Sequence, residues 1–365
     1  MIKLSDSLEK FIWEIPKVEL HLHLEGAIPL ETLFGFIQRR GNNKLIKNLE
    51  DLKRRLVYSN FTQFIKVWLW KNSFITEYGD FEELVYWVLQ SLSQQNVKYV
   101  ETFYSPRDFT FRNKKLSACG ITESLIKGKK RAFDDFGIRS ELIVDVVRDY
   151  GPRMGMNLVK ELSGYLGRGL IGIGLGGSEK LFPAGLFTKV YQEARERGFR
   201  LTAHAGEADS AKSIWAALNQ LGAERIGHGL RAYQDPQLIH YLQVRQIPLE
   251  ICVVSNIKTQ VCKTFKGHPV RNYFNEGLMV TINSDDPAMF DTSITNEYLI
   301  LIQKFGFSLE EIRKVNFNSI EASFLTDKEK AAMKETFNKE WEKLTSKYFK
   351  KLKQENKKGK NLNER

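Results

Sequence analysis

The amino-acid sequence predicts an α/β fold, a single TIM-type (β/α)8 barrel with extra N-terminal and C-terminal helices. Short apolar segments typical of buried strands alternate with amphipathic helical segments, and eight such strand segments can be counted. Strands that alternate with helices favour a parallel sheet, and eight repeats of this unit close into a barrel. No linker or low-complexity segment interrupts residues 10–310, which indicates one domain.

The predicted elements follow in a regular order. A helix over residues 5–15 ends before Pro16, because the residue preceding a proline avoids helical backbone angles. The first strand begins at Lys17, and Pro29 suits the first turn of a helix over 30–37, after which 41–60 is polar. Seven more strands are predicted at 97–104, 140–146, 170–177, 200–204, 225–228, 248–253 and 278–283. Helices are predicted before them at 80–95, 120–135, 151–166, 184–197, 209–221, 234–245 and 269–276, and after them over 308–352.

The net charge of +11 is concentrated near the C-terminal end. Residues 343–365 hold nine Lys or Arg and two Glu, so this stretch carries +7 and the other 342 residues carry +4. A basic run of this kind is typical of a solvated helix end or an extension. We therefore predict a barrel over residues 1–342 and a basic tail over 343–365, and we do not expect a nucleic-acid partner.

Cysteine usage and hydropathy indicate the compartment. The three cysteines, Cys119, Cys252 and Cys262, form no paired framework, which favours a reducing environment. The first residues lack the apolar core of a signal peptide, and no apolar run reaches membrane-spanning length. We therefore expect a soluble cytoplasmic protein with no membrane partner. No pattern in the sequence predicts its oligomeric state.

Two histidines two positions apart stand in the first predicted strand. Residues i and i+2 of a strand point to the same face, so His21 and His23 project together while the leucines between and beside them face the other way. Imidazole nitrogens are common metal ligands, and zinc suits them. Two ordinary histidines in a half-buried strand explain this pattern equally well, so the rest of the chain has to decide.

Further polar residues stand at the ends of other predicted strands. His204 ends the fifth strand, His228 ends the sixth, and Asp285 with Asp286 follows the eighth. The carboxyl ends of barrel strands meet at one mouth, where barrel enzymes build their sites. Four of the six histidines lie at such ends. The two histidines of the first strand can therefore share one metal ion with His204 and Asp285.

Three imidazoles and one carboxylate can hold zinc and leave a position for water, whose pKa the zinc lowers towards neutrality. Glu207 follows His204 by three residues, near enough to serve as a general acid or base. His228 can orient the water or take its proton. Each residue alone also fits a hydrogen-bonded polar group at the barrel rim. The set together favours a catalytic centre with one zinc ion per chain.

Four short motifs combine these residues. They stand in order as His21-Leu22-His23-Leu24-Glu25-Gly26, His204-Ala205-Gly206-Glu207, Arg225-Ile226-Gly227-His228-Gly229 and Ser284-Asp285-Asp286-Pro287. With these motifs at barrel-strand spacing, the chain resembles the adenosine deaminase family of the amidohydrolase barrels. The resemblance extends over about residues 16–325, nearly all of the chain except the tail.

The resemblance implies a role for individual residues. Glu207 would protonate purine N1 while hydroxide attacks C6, and His228 would assist that attack. Asp286 would hydrogen-bond N7, and the backbone of Gly177 would meet N3. Ammonia would then leave from the tetrahedral intermediate. The implied zinc ligands are His21, His23, His204 and Asp285.

An apolar stripe at helical spacing has two readings. Phe61, Phe64, Ile65 and Trp68 fit ordinary core packing, and they equally fit a hydrophobic lid over a pocket. The stripe matches the hydrophobic gate of the adenosine deaminase family. The resemblance therefore implies that Phe64 and Trp68 contact the substrate.

Some positions depart from the family pattern. Adenosine deaminases usually carry Asp where this chain has Glu25, a position that contacts the ribose in the family, and glutamate there also occurs in adenine deaminases. Gly174 and Gly176 replace larger or acidic residues of the fourth-strand motif, which predicts an enlarged pocket. Val253 stands where the family usually has proline. None of these departures touches the metal-ligand set.

The resemblance implies zinc-dependent hydrolytic deamination of a 6-aminopurine, first of all adenosine and 2′-deoxyadenosine, to inosine and ammonia. Adenine, or a modified adenine nucleoside such as aminodeoxyfutalosine, is the alternative substrate. The expected partner is a small-molecule purine nucleoside or base, as in purine salvage. Nucleotide deamination would need a phosphate ligand, for which Arg148 after the third strand is a candidate.

Other classes of function are disfavoured. Cytidine-type zinc deaminases need a Pro-Cys-x-x-Cys ligand pair that this chain lacks. A barrel kept as a non-catalytic scaffold would not need Glu207 and a full ligand set. Nucleic-acid binding would depend on the basic tail alone.

Overall fold

Eight parallel strands form one sheet in the part of the chain that the structure, a computed structural model, describes: residues 4–41, 45–58 and 61–360. Strands adjacent in sequence are adjacent in the sheet. The strands are β1 (Lys17–His23), β2 (Val97–Tyr104), β3 (Arg139–Asp145), β4 (Leu170–Gly174), β5 (Arg200–Ala205), β6 (Arg225–His228), β7 (Leu249–Ile251) and β8 (Val280–Ile282). The predicted (β/α)8 barrel is confirmed.

The barrel closes between β8 and β1. The Asp285 N–H donates to the His21 carbonyl at 3.0 Å, and the His23 N–H donates to the Asp285 carbonyl at 2.9 Å. These bonds flank a parallel bridge between Leu22 and Asp285. The backbone at the closing seam therefore sets the two strand-one histidines directly beside the predicted carboxylate ligand.

Helices surround the sheet and extend beyond it at both ends of the chain. Among the described residues, no helix is both long enough and apolar enough to span a membrane. The helices are α1 (Asp6–Glu14), α2 (Leu30–Arg40), α3 (Leu49–Arg55), α4 (Phe61–Asn72), α5 (Tyr78–Gln94), α6 (Pro106–Thr110), α7 (Ala118–Phe136), α8 (Gly151–Leu162), α9 (Thr188–Glu196), α10 (Ala211–Ala216), α11 (Pro236–Arg245), α12 (Val253–Lys258), α13 (Val270–Asn275), α14 (Pro287–Phe290), α15 (Ile294–Phe305), α16 (Leu309–Ala322) and α17 (Asp327–Lys360).

Some helix boundaries differ from the sequence prediction. The helix predicted over 209–221 is α-helical only to Ala216 and continues as a π-helical turn to Leu221. The helix predicted over 308–352 is two helices, because Ser323 adopts an extended conformation between α16 and α17. The polar stretch 41–60 contains α3, whose first turn is capped by Asn48 accepting the Asp51 N–H at 3.0 Å.

Ionic groups lie inside the barrel beneath its mouth. Arg225 on β6 is 1% exposed, and it pairs with Glu101 on β2 at 2.5 Å and with Glu250 on β7 at 2.6 Å. Its guanidinium also lies 3.7 Å from the centre of the Phe324 ring. Buried charges persist only when they are paired, so these three side chains join opposite walls of the barrel.

The C-terminal helix α17 packs against α1. Phe11 and Trp341 meet edge to face with ring centres 5.0 Å apart. Lys347 and Tyr348 both bond Glu14, at 2.7 Å and 2.6 Å. The first turns of the basic stretch are thus held against the N-terminal helix. The boundary at residue 342 stays a prediction, and residues 361–365 lie outside the described part of the chain.

Candidate active site

The predicted metal ligands converge at the carboxyl end of the barrel. Nε2 of His21 and Nε2 of His23 each lie 3.5 Å from Oδ1 of Asp285. Nε2 of His23 lies 3.2 Å from Nε2 of His204. His204 is the second-last residue of β5. A tetrahedral zinc ion at 2.0–2.1 Å from each ligand requires about 3.3–3.4 Å between ligand atoms. Three of the six pairs of ligand atoms therefore have close to the spacing of a zinc ligand set, and all four ligand atoms lie within 4.8 Å of one another.

The state of these side chains also fits a cation. The buried Nε2 of His21 has no hydrogen-bond partner among the described residues, and Nδ1 of the same ring donates to Glu250 at 2.8 Å. Burial opposes protonation of His21, but the Asp285 and Glu250 carboxylates outweigh it and raise the pKa of His21 to about 10, so a metal ion at Nε2 displaces a proton. Burial lowers the pKa of His23 to about 4 and that of His204 well below its usual value. Their imidazoles are thus neutral and able to bind metal. Asp285 accepts a 2.6 Å bond from the Ser255 hydroxyl.

Glu207 stands beside this group on the loop after β5. Its Oε2 lies 3.6 Å from Nε2 of His228. Burial, followed by the charges of Asp285 and Glu179, raises the pKa of Glu207 to about 8, so its carboxyl is protonated at neutral pH. A protonated carboxyl beside a metal-ligand set can act as a general acid.

Glu179 holds the loop that carries Glu207. Its carboxylate accepts the N–H groups of Gly206 at 2.5 Å, Ala208 at 2.8 Å and Asp209 at 3.0 Å. Gly206 has φ 67°, a left-handed conformation that lets the chain turn sharply after β5. The sequence reasoning missed Glu179. Its position two residues after Gly177 was the available signal.

A hydrogen-bond relay determines which nitrogen of His228 carries the proton. The Val270 N–H donates to Nδ1 of His268 at 3.2 Å, so Nε2 of His268 carries a proton and donates to Oδ1 of Asn256 at 3.1 Å. The Asn256 amide then donates to Nδ1 of His228 at 3.2 Å. Nε2 of His228 is therefore the protonated nitrogen, and it faces the site as a donor. Of the two roles predicted for His228, orienting the water fits this tautomer better than taking its proton.

A cavity of about 350 Å³ opens above these residues. Its lining includes the predicted substrate contacts Phe64, Trp68, Gly177 and Asp286. Phe64 stacks on Phe290 with ring centres 5.6 Å apart. Whether α4 moves as a lid stays a prediction, and the Phe61 side chain lies outside the described part of the chain.

Asp286 approaches the backbone of the first motif closely. A Cβ atom at Gly26 would overlap the Asp286 carboxylate, so only glycine fits there. Burial and the neighbouring Asp285 raise the pKa of Asp286 well above its usual value, and its Oδ1 has no hydrogen-bond partner among the described residues. This carboxyl can therefore offer a ligand either a donor or an acceptor.

Glu25 lies behind the cavity wall. Its side chain is buried, and Oε1 accepts the Ser105 N–H at 2.9 Å. The Lys71 ammonium donates to the Glu25 carbonyl at 2.5 Å. Glu25 does not line the cavity, whereas Ser105 does. The predicted contact between Glu25 and a substrate therefore stays a prediction.

A buried His3Asp set beside a protonated carboxyl, at the mouth of a (β/α)8 barrel, is typical of the barrel hydrolases. Comparison with known proteins makes the class specific. The adenosine deaminase family model matches residues 16–340 of the chain. The chain therefore belongs to the adenosine deaminase family, and it is a hydrolase.

Individual relatives span almost the whole chain. The adenine deaminase of Crocosphaera subtropica is 34% identical over 325 residues, covering 88% of this chain and 98% of that protein. The adenosine deaminase of Aliivibrio fischeri is 31% identical over 330 residues, covering 89% and 98%. A crystal structure of an amidohydrolase from Burkholderia ambifaria, with bound Zn, has a TM-score of 0.88 and 25% identity and covers 95% and 96%.

Proposed function

We propose that the protein catalyses the hydrolytic deamination of a 6-aminopurine with one zinc ion per chain. The observation that carries this proposal is the meeting of four ligand side chains, with all ligand atoms within 4.8 Å of one another and three pairs at 3.2–3.5 Å, beside a protonated Glu207. Two further facts support it: the relatives include both adenine and adenosine deaminases, and the similar amidohydrolase structure contains bound Zn. The proposed zinc ligands are His21, His23, His204 and Asp285.

The residues of the chain have complementary tasks in this reaction. When bound, the zinc ion supplies the Lewis acidity that makes hydroxide available near neutral pH. Glu207 donates its proton to purine N1, which makes C6 electrophilic. The Nε2–H of His228 would donate to the attacking water and keep it oriented for attack on C6. Asp286 and the Gly177 backbone hold the ring by N7 and N3.

The reaction balances as a hydrolysis. A C–O bond forms at C6 and the C6–N bond breaks, which releases ammonia. Of the two protons of the water consumed, one ends on N1 and the other on the departing nitrogen. An aromatic amine is a poor leaving group until the ring nitrogen is protonated, so the raised pKa of Glu207 serves the step directly.

The cavity favours an uncharged substrate. Asp108, Asp145 and Asp149 line it together with Glu207 and the aspartates after β8, and no Lys or Arg lines it among the described residues. Arg148, the candidate phosphate ligand, donates instead to the carbonyls of Phe182 at 2.8 Å and His204 at 2.7 Å. A phosphate in this acidic cavity would be repelled, so the base and the nucleoside are better candidates than the nucleotide.

Metal content and turnover test the proposal together. Purified protein should hold about one zinc per chain, and dialysis against a chelator should abolish deamination until zinc is restored. His204→Ala should lose both zinc and turnover, whereas His240→Ala, a matched change at an exposed histidine of α11, should keep both. Turnover by metal-free protein would contradict the mechanism. Zinc binding without turnover of adenine, adenosine or 2′-deoxyadenosine would favour the scaffold alternative.

A further inference from the structure

Two carboxyl groups that line the cavity, those of Asp145 and Asp286, each have an oxygen with no hydrogen-bond partner among the described residues. Asp286 already has a place in the proposed reaction, and Asp145 does not. Asp145, the last residue of β3, is 3% exposed and lines the cavity. Its Oδ2 accepts a hydrogen bond from the Ser105 hydroxyl at 3.2 Å, while Oδ1 bonds no described residue. A buried polar atom without a partner is costly, so this oxygen indicates a place for a hydrogen-bond donor.

Gly176 makes room for this carboxylate, and Gly174 makes room for the Phe103 ring beside it. A Cβ atom at Gly176 would lie 2.7 Å from Asp145 Oδ2, and one at Gly174 would lie 2.5 Å from the Phe103 ring. The sequence predicted that these glycines enlarge the pocket. Instead, the Asp145 side chain from β3 occupies the space beside Gly176, and the Phe103 ring occupies the space beside Gly174. An acidic group thus reaches this part of the wall from another strand.

The other carboxylates of this wall already have partners. Asp108 accepts the Trp68 indole N–H at 3.2 Å and the Tyr150 hydroxyl at 3.0 Å. Asp149 accepts both the N–H and the hydroxyl of Ser178, at 2.9 Å and 2.5 Å. These pairs fix Asp108 and Asp149 within the wall. Asp145 is therefore the carboxylate that has an unpartnered oxygen and no task in the proposed reaction.

Charge also favours a donor at this position. Burial and the neighbouring Asp108 raise the pKa of Asp145 to about 6, so at neutral pH the carboxylate is ionised without a balancing cation on the cavity side. The nearby Arg148 directs two of its nitrogens at backbone carbonyls instead. An ionised carboxylate accepts hydrogen bonds only, so its complement is an N–H or O–H group.

The free base carries such a donor next to its N3 acceptor. N3 and N9 of a purine are attached to the same ring carbon and lie along one edge, and N9 carries a hydrogen only when no sugar is attached. The Gly177 N–H, which donates to no described residue, would meet N3 under the proposed function. Asp145 lies against Gly176, the residue before Gly177, so its open oxygen would be on the side of the ring that carries the adjacent N9–H.

We propose that Asp145 is a specificity-determining residue that accepts a hydrogen bond from purine N9–H and selects the free 6-aminopurine base over its N9-substituted nucleosides. This inference rests on the proposed function, because it uses the orientation of the ring in that reaction. A sugar on N9 would replace the donor and point at the carboxylate. A site built to bond an N–H group rejects analogues that lack it, since its own acceptor is then left unpaired.

The unaltered zinc-loaded protein provides the first test. Adenine, 9-methyladenine and adenosine differ at N9, and we expect kcat/KM for adenine to exceed that for 9-methyladenine by about 100-fold or more. Equal values for adenine and 9-methyladenine would overturn the assignment. Adenosine turned over faster than adenine would also overturn it, because the carboxylate would then serve a sugar hydroxyl.

The isosteric variant Asp145→Asn separates hydrogen bonding from shape. It should lower kcat/KM for adenine by about 10- to 100-fold and change that for 9-methyladenine far less, so the preference shrinks. If Asp145→Asn still prefers adenine over 9-methyladenine as strongly as the wild type does, the shape of the cavity alone excludes N9 substituents. Asp135→Asn, at an exposed aspartate of α7, is the matched control and should keep the wild-type preference. Zinc content and Tm establish that each variant is folded.

Product binding distinguishes failure of this inference from failure of the proposed function. Dissociation constants of hypoxanthine and 9-methylhypoxanthine can be measured by the change in intrinsic tryptophan fluorescence, because Trp68, one of the six tryptophans, lines the cavity. We expect about 10-fold or greater preference for hypoxanthine in the wild type, reduced in Asp145→Asn. If the protein binds hypoxanthine with this preference but deaminates no substrate, the proposed reaction is refuted and the role of Asp145 is not. Deamination of adenine without the preference would refute the role of Asp145 alone.

Discussion

Nδ1 of His21 lies 2.8 Å from Oε2 of Glu250, and both side chains are fully buried. Burial opposes ionisation of Glu250, but Arg225 and His21 outweigh it, and the pKa of this carboxyl is lowered. The ionised carboxylate can only accept, so it keeps a proton of His21 on Nδ1, and a metal ion takes the place of the second proton at Nε2.

Removing the charge of Glu250 should weaken metal binding. In Glu250→Gln the amide no longer fixes the His21 tautomer, and we expect zinc affinity to fall about 10- to 100-fold. Competition with a chromophoric chelator measures this directly. Glu224→Gln removes a carboxylate that pairs with Arg200 near the surface, and it should leave the affinity unchanged. Wild-type affinity in Glu250→Gln would show that His21 is held by its backbone alone.

Arg225 should matter more for stability than Arg200, although both guanidiniums lie over the Phe324 ring. Arg225→Met leaves the buried Glu101 and Glu250 without their cation, and we expect a loss of about 3–5 kcal/mol in the free energy of unfolding. Arg200→Met breaks a solvent-exposed pair and should cost about 1 kcal/mol or less. Urea unfolding of both variants gives the comparison. Equal losses would contradict the buried-network interpretation.

Asn256 should act on catalysis through His228. Asn256→Leu removes the amide that donates to Nδ1 of His228. The ring proton can then move from Nε2 to Nδ1, which leaves Nε2 unprotonated. We expect kcat to fall by about 10-fold or more at unchanged zinc content. The 15N shifts of His228 report the tautomer independently of turnover. Asn316→Leu, at a buried asparagine of α16 that bonds the Pro16 carbonyl, should lower stability while leaving kcat unchanged.

The pH dependence of the reaction should report Glu207. Its pKa is raised to about 8, and the proton is needed on the carboxyl, so activity should be retained below pH 8 and lost as pH rises through that value. The measurement is kcat/KM from pH 6 to 10, with an expected decline of about tenfold per unit on the alkaline side. Glu207→Gln should keep zinc, lose several orders of magnitude in kcat, and show no such decline in its residual rate. A wild-type profile that stays flat to pH 10 would assign the acid to another group.

Periodicity and motif spacing anticipated much of this molecule. Alternation of apolar strands and amphipathic helices predicted the barrel, because burial on both faces of a parallel sheet leaves a recognisable apolar run. The placement of His21, His23, His204 and Asp285 at strand ends followed from the same count. Helix ends such as the break at Ser323 escaped prediction, since they depend on local backbone conformation that the apolar pattern does not encode.

The residues that escaped prediction act through distant partners. Glu250 bonds His21 across 229 positions of the chain, and Glu179 bonds the backbone after β5 across 27 to 30 positions. Nothing in the local sequence around Glu250 indicates a metal ligand as its neighbour. Nothing in the sequence around Asn256 indicates its role either, which depends on its hydrogen bonds to both His268 and His228.

Chain order and residue type were therefore sufficient for the barrel, its mouth and the ligands that meet there, because strand geometry converts sequence spacing into direction. Folding alone decided which nitrogen of each histidine faces the site, why Glu207 keeps its proton, and which carboxylate is open at the wall. Those properties depend on burial and on partners from other strands. Glu25 and Asp145 illustrate the difference: the first looked decisive in the sequence and lies behind the wall, whereas the second drew no notice and lines the cavity.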